Sequence, residues 1–184
     1  MKMKTLRLLL WEECNRNCSQ CQNKNWDLSK LPVCRDYSGY DQILLTGGEP
    51  MLHPNIVLEV VKRIREHNTE AKIFMYTANV VEDYREQHEF VSLLQTIDGA
   101  TVTCHTPEEV IELSWMVKLF QERLYKGKSL KANLFPKAVI CEEEPQKLLD
   151  AIKTIEDNPN WNVKYKSWVT KKHLPKDEEF MRLF

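Results

Sequence analysis

Residues 5–21 read TLRLLLWEECNRNCSQC, and residues 42–50 read QILLTGGEP. Each stretch opens with a short apolar run and closes in a polar loop dense in chemically distinctive residues: Cys14, Cys18 and Cys21 in the first, Gly47, Gly48 and Glu49 in the second. Apolar runs of this length bounded by turn residues read as buried β-strands. The spacing predicts further strands at Lys72 to Thr77, Gly99 to Cys104, Lys131 to Leu134 with an extension toward Ile140, and Val163 to Val169. None alternates cleanly between polar and apolar residues, as expected of strands covered on both faces.

Helical periodicity fills the gaps. Over 55–66, Ile56, Val57, Val60, Val61 and Ile64 form one apolar stripe, with Glu59, Lys62, Arg63 and Arg65 opposite. A second helix is expected from Glu82 to Thr96, with Tyr84, Val91 and Leu94 inward. A third starts at Thr106, where an N-cap threonine, Pro107 at the first helical position and the acidic pair Glu108 and Glu109 make a capping box. A fourth runs from Pro145 to Asp157 and stops at Asn158-Pro159. Strands alternating with helices indicate an α/β fold with a mainly parallel sheet. Six βα units are too few for a closed eight-stranded barrel of about 250 residues, so the expectation is an open, partial (β/α)6 barrel. At 184 residues the chain is expected to form a single domain over 1–184. Binding residues should gather at the carboxyl ends of the strands, which is where both polar loops fall.

Composition narrows the class. With 42% hydrophobic residues and 5 glycines the chain can build a packed core, and a formal net charge of −1 does not favour nucleic acid or an anionic membrane as a partner. No apolar stretch approaches the roughly 20 residues that span a bilayer. Lys2, Lys4 and Arg7 precede a short apolar run, but Glu12 and Glu13 follow at once with no small-residue cleavage site, so a cytoplasmic location is expected. The lysines Lys164, Lys166, Lys171 and Lys172, with His173, form a local basic cluster that reads as a solvated face, with a phosphorylated or acidic partner as the alternative.

A reducing compartment disfavours disulfides among the six cysteines. Cys34, Cys104 and Cys141 are scattered and are expected to be buried. Cys14, Cys18 and Cys21 have the spacing C-x3-C-x2-C, compact enough to hold one metal centre. Two chemistries suit them. A cubane iron-sulfur cluster held by three thiolates leaves one iron open to another ligand. A structural zinc would need a fourth protein ligand, such as Cys34 or His105, in a zinc-stabilised binding module without enzymatic activity.

Taken together, Cys14-Asn-Arg-Asn-Cys18-Ser-Gln-Cys21 after the first strand and Gly47-Gly48-Glu49-Pro50 after the second resemble the radical SAM superfamily. The resemblance implies a 4Fe-4S cluster on Cys14, Cys18 and Cys21 and S-adenosyl-L-methionine (SAM) as the second cofactor. It implies an enzyme of oxidoreductase or lyase type, in which SAM is cleaved to methionine and a 5'-deoxyadenosyl radical that takes hydrogen from a substrate. Glu49 would accept the SAM ammonium, with Gly47 and Gly48 allowing close backbone approach. Thr77 and Asn79, in a segment similar to the family's polar T-N-G, would meet the SAM methionine or ribose. Thr103 is a further cofactor contact, and Cys104 and His105 are the catalytic candidates. Gln20 stands where most relatives carry an aromatic residue beside the adenine.

Among small members of the superfamily, Cys21-Gln22-Asn23 is similar to the post-cluster segment of enzymes that activate glycyl radical proteins. Glu12-Glu13 departs from the small pair that usually precedes the first cysteine there. A 7-carboxy-7-deazaguanine synthase-like enzyme is the small-molecule alternative. The implied partners are a one-electron reductant of flavodoxin or ferredoxin type and, in the activating branch, a protein substrate.

Overall fold

A computed structural model describes residues 3–16, 18, 21–25, 27–79, 84–119, 127–167 and 177–184. In chain order the strands are β1 (Thr5–Leu9), β2 (Gln42–Thr46), β3 (Lys72–Thr77), β4 (Gly99–Cys104), β5 (Ser129–Leu134), β6 (Trp161–Tyr165) and β7 (Glu178–Arg182). The helices are α1 (Pro54–His67), α2 (Tyr84–Thr96), α3 (Pro107–Leu119) and α4 (Pro145–Glu156). Every strand pairing within each unit described below is parallel, and one helix lies between each pair of successive strands from β2 to β6. This is the α/β construction of an open partial barrel. Among the described residues no helix is long and apolar enough to cross a membrane.

The chain divides into two compact units, Met1–Tyr76 with Val169–Phe184, and Thr77–Trp168. In the first, the strand order is β3-β2-β1-β7. One face of its strands is closed: Leu6, Leu8, Ile43, Leu45, Ile73 and Met75 are fully buried. The α1 stripe of Val57, Val60, Val61 and Ile64 is buried as its spacing predicted, but Ile56 is exposed, because it lies on the edge of the arc that 3.6-residue periodicity turns inward.

β7 is absent from the pattern of apolar runs. Its sequence, Glu-Glu-Phe-Met-Arg, carries too much charge to register as a strand, which suits a position outside β1. Residues 32–34 continue the pairing beyond it: Val33 bridges Arg182, the Cys34 N–H donates to Arg182 O at 2.9 Å, and the Arg182 N–H donates to Pro32 O at 3.0 Å. Cys34 is buried there.

In the second unit the order is β4-β5-β6, and α3 packs on α4 through buried residues that include Val110, Leu113, Leu148 and Ile155. The capping box forms as expected: Thr106 Oγ1 accepts from Glu109 N–H at 3.4 Å, and Glu109 Oε2 accepts from Thr106 N–H at 3.3 Å. Four expectations need correction. β5 stops at Leu134, because Pro136 opens a 3-10 turn over Pro136–Val139 that leaves Ile140 exposed. β6 begins two residues early, at Trp161, and ends at Tyr165. Cys141 is half-exposed, with Sγ accepting from Glu144 N–H. β3 and β5 also alternate in burial, so one face of each is open, contrary to the two-sided cover read from their composition. Lys164 and Lys166 are exposed, as a solvated face requires; Lys171, Lys172 and His173 lie outside the described residues.

At the amino ends of the strands of the first unit, the Tyr40 hydroxyl donates to Glu179 Oε2 at 2.6 Å, with Lys4 Nζ 3.4 Å from Glu179 Oε1 and 4.6 Å from the Tyr40 ring centre. The Tyr40 hydrogen bond, with help from Lys4, holds the Glu179 carboxyl below its ordinary value of 4.5. A lowered carboxyl pKa contributes stability that is present above the unfolded value and lost as pH falls through the folded one. Tyr40→Phe should therefore cost about 1 kcal/mol at about pH 7, modest because the carboxylate is half-exposed. The gap in thermal stability from wild type should close as pH falls toward about 3. A gap that stays constant over that range in calorimetry would contradict the assignment.

Candidate metal centre

The cysteine loop and the Gly-Gly-Glu-Pro loop are joined by their backbones. Beyond the ends of β1 and β2, Leu10 N–H donates to Thr46 O at 2.8 Å, Gly48 N–H to Trp11 O at 2.6 Å and Glu49 N–H to Glu13 O at 2.8 Å. Backbone hydrogen bonding thus runs on past the strands into both loops. Side chains reinforce it: Trp11 Nε1–H donates to Glu49 O at 3.2 Å, and Asn23 Nδ2–H donates to Gly47 O. His53 Nε2 lies 2.7 Å from Glu13 Oε2 and its ring meets Trp11 edge-on at 5.2 Å.

This pairing explains the two glycines. Gly47 has φ of +110°, a conformation L side chains rarely adopt. A Cβ at Gly48 would stand 1.8 Å from Glu13 O, and one at Gly47 would stand 2.8 Å from Leu10 N. The close approach read from the sequence is real, and its partner is the chain's own cysteine loop.

Glu49, which as a loop residue could have been solvated, is only 2% exposed. Its Oε1 accepts from Met51 N–H at 3.0 Å, capping a 3-10 turn over Pro50–Leu52. The three cysteines sit just outside this frame, Cys14 exposed, Cys18 and Cys21 partly so. Cys14 Sγ accepts from Arg16 N–H at 3.4 Å, and turns run from Cys18 O to Cys21 N–H and from Cys21 O to Lys24 N–H. Burial raises the Cys14 thiol pKa, as do the charges of Glu49 and Cys21; burial and then the charges of Cys21 and Cys14 raise that of Cys18. The three thiols are therefore close enough to feel one another's charge. Among the described residues, however, no three His, Cys, Asp or Glu side chains gather tightly enough to hold a single metal ion.

The donor set suits iron and sulfide: three soft thiolates on one accessible loop, each able to take a different iron. Thiols with raised pKa values keep their protons until a metal displaces them. Of the zinc ligands considered from sequence, Cys34 is buried with its S–H directed at Asp36 O, 3.4 Å away.

The remaining predicted residues are placed as follows. Gln20 lies outside the described residues. Thr77, the last residue of β3 and the first of the second unit, is buried, and its Oγ1 accepts from Asn79 N–H at 3.0 Å. Thr103 is paired with Asn133 near the end of β4. Cys104 is fully buried, with its S–H directed at Glu109 O, 3.7 Å away. His105 is half-buried, its N–H donates to Glu109 Oε2 at 2.5 Å, and its ring stacks on Phe135 at 4.9 Å. Trp11, Asn23 and His53 carry no motif of their own, and their part in joining the loops is a tertiary property.

The chain belongs to the 4Fe-4S single cluster domain family, whose model matches residues 4–119. The match begins just before β1 and ends with the last residue of α3. No curated protein matches the chain.

Because Gly48 has backbone on its Cβ side, Gly48→Ala should destabilise the protein by roughly 2 to 3 kcal/mol and lower the iron retained after anaerobic reconstitution. Gly39→Ala, whose Cβ would meet only the Lys4 amine at 3.7 Å, is the control and should stay within about 0.5 kcal/mol. Equal melting temperatures for the two variants would contradict the packing role of Gly48.

Proposed function

We propose that Cys14, Cys18 and Cys21 hold three irons of a 4Fe-4S cluster and that the chain is a radical SAM enzyme. When bound, the cluster would supply the electron that cleaves SAM to methionine and a 5'-deoxyadenosyl radical, the hydrogen-abstracting species. The observation that carries this reading is the backbone union of the cysteine loop with the Gly-Gly-Glu-Pro loop. It gives the cysteines and Glu49 one rigid base, which a shared cofactor site requires.

Glu49 serves as the acceptor for the SAM ammonium. Its cap to Met51 orients the carboxylate without exhausting it, since each carboxylate offers about four lone-pair sites. Gly47 and Gly48 border the same site, with Thr77, Asn79 and Thr103 as contacts to SAM and Gln20 beside the adenine. Of the two catalytic candidates, His105 keeps partial exposure while Cys104 is sealed, so His105 is the better placed to meet a substrate. The alternation of strand and helix continues from one compact unit into the other, which supports reading 1–184 as one radical SAM domain. The electron would come from a flavodoxin or ferredoxin type reductant in the cytoplasm. The likeness of Cys21-Gln22-Asn23 to glycyl radical activating enzymes has a local explanation in the bond from Asn23 to Gly47, so a protein substrate rests on resemblance alone.

Two experiments test the reading. Anaerobically reconstituted wild type should carry about four irons per chain and release 5'-deoxyadenosine with SAM and a strong reductant. Cys14→Ala, Cys18→Ala and Cys21→Ala should each lose both properties, while Cys34→Ala and Cys141→Ala keep them. A full cluster in Cys18→Ala, or no 5'-deoxyadenosine from a verified, reducible cluster, would overturn the assignment. Glu49→Gln preserves the capping acceptor and should keep the cluster while weakening SAM binding by on the order of 1.5 to 3 kcal/mol, one charge-assisted hydrogen bond. An unchanged dissociation constant in equilibrium dialysis would remove Glu49 from the site.

A further inference from the structure

In the first unit the half-open strand face carries a row set by register, Phe180 on β7, Arg7 on β1, Leu44 on β2 and Phe74 on β3. Arg7 interrupts a run of leucines, and its side chain is 17% exposed. Its Nε–H donates to Glu178 Oε2 at 2.7 Å, and the guanidinium carbon lies 5.4 Å from the Tyr76 ring centre and 5.7 Å from that of Phe180. Among the described residues, the Nη groups of Arg7 and the hydroxyl of Tyr76 have no hydrogen-bond partner, and Tyr76 is 36% exposed.

These features describe a prepared donor fork. Glu178 uses one of the five guanidinium N–H groups and fixes the rotamer, while the two rings confine the plane by cation–π contact. Nη1 and Nη2 are left, the edge that matches two oxygens of a carboxylate or phosphate. Neither nitrogen is sealed from solvent, so this edge of the guanidinium is open to a ligand. Leu9, two residues on and about 6.6 Å along the strand, shares the face of Arg7 and leads directly into the cysteine loop.

We propose that Arg7 anchors an oxyanion, carboxylate or phosphate, of the molecule on which this protein acts, with Tyr76 and Phe180 flanking the apolar part next to it. Calling that molecule the substrate rests on the radical SAM reading; the anion site does not. Glu178 is a positioning residue that aims the fork.

The test uses the cluster-loaded protein under anaerobic conditions without SAM, following the Arg7 Nε–H signal by nitrogen-15 NMR while adding benzoate, inorganic phosphate or neutral benzamide. Saturable shifts with benzoate or phosphate, and none with benzamide, are expected; the tighter of the two anions assigns the group. In calorimetric titrations of that anion, Arg7→Lys, which keeps the charge but not the fork, should bind at least tenfold more weakly, and Arg7→Gln should bind undetectably. No saturable shift with either anion, an equal response to benzamide, or undiminished affinity in Arg7→Lys would overturn the proposal. The wild-type titration stands even if a variant fails to fold. Anion binding without 5'-deoxyadenosine release would overturn the radical reading and keep the site, and the reverse result would overturn the site alone.

Discussion

The backbone hydrogen bonding that continues from β1 and β2 into residues 10–13 and 46–49 is the constraint on which the rest of the site depends. Two loops that would otherwise move independently are made one piece, and the absence of side chains at Gly47 and Gly48 is its steric condition. The cysteine loop and Glu49 hang from this seam. Cys14 follows Glu13, whose carbonyl takes the last bond of the seam, and Glu49 supplies the N–H that donates it.

The seam also explains how a carboxylate comes to be buried beside thiols. Glu49 is drawn inward by the pairing of its own N–H and by the Trp11 indole on its carbonyl, and the helix-capping bond to Met51 compensates part of its desolvation. Burial raises the Cys14 thiol pKa, and the charge of Glu49 adds to it.

How much of this was legible depended on range. The capping box of Thr106 and Glu109 acts over four residues and is readable as written. The alternation of strands and helices is likewise a property of short windows. Burial of Glu49, exposure of Ile56 and the charged strand β7 are decided by what packs from elsewhere, and no local pattern encodes them. The motif records that small residues are needed at positions 47 and 48; that the cysteine loop packs against them is decided by tertiary structure. Arg7 was silent for a related reason: within Leu-Arg-Leu it looks like one polar residue in a strand, and only the register brings Phe180 beside it.

β7 lies 171 positions from its partner on β1, as measured from Arg7 to Glu178, with the whole of the second unit encoded between them. The first unit is therefore interrupted, and the strand that bears the cysteine loop cannot acquire its outer neighbour until residue 182 has emerged from the ribosome. Through most of synthesis β1 has one edge unpaired next to three thiols. Long-range pairings of this kind form slowly, and an open strand edge pairs with whatever strand it meets. Translation thus leaves this edge of β1 without its β7 partner until residues 178–182 have been made and docked.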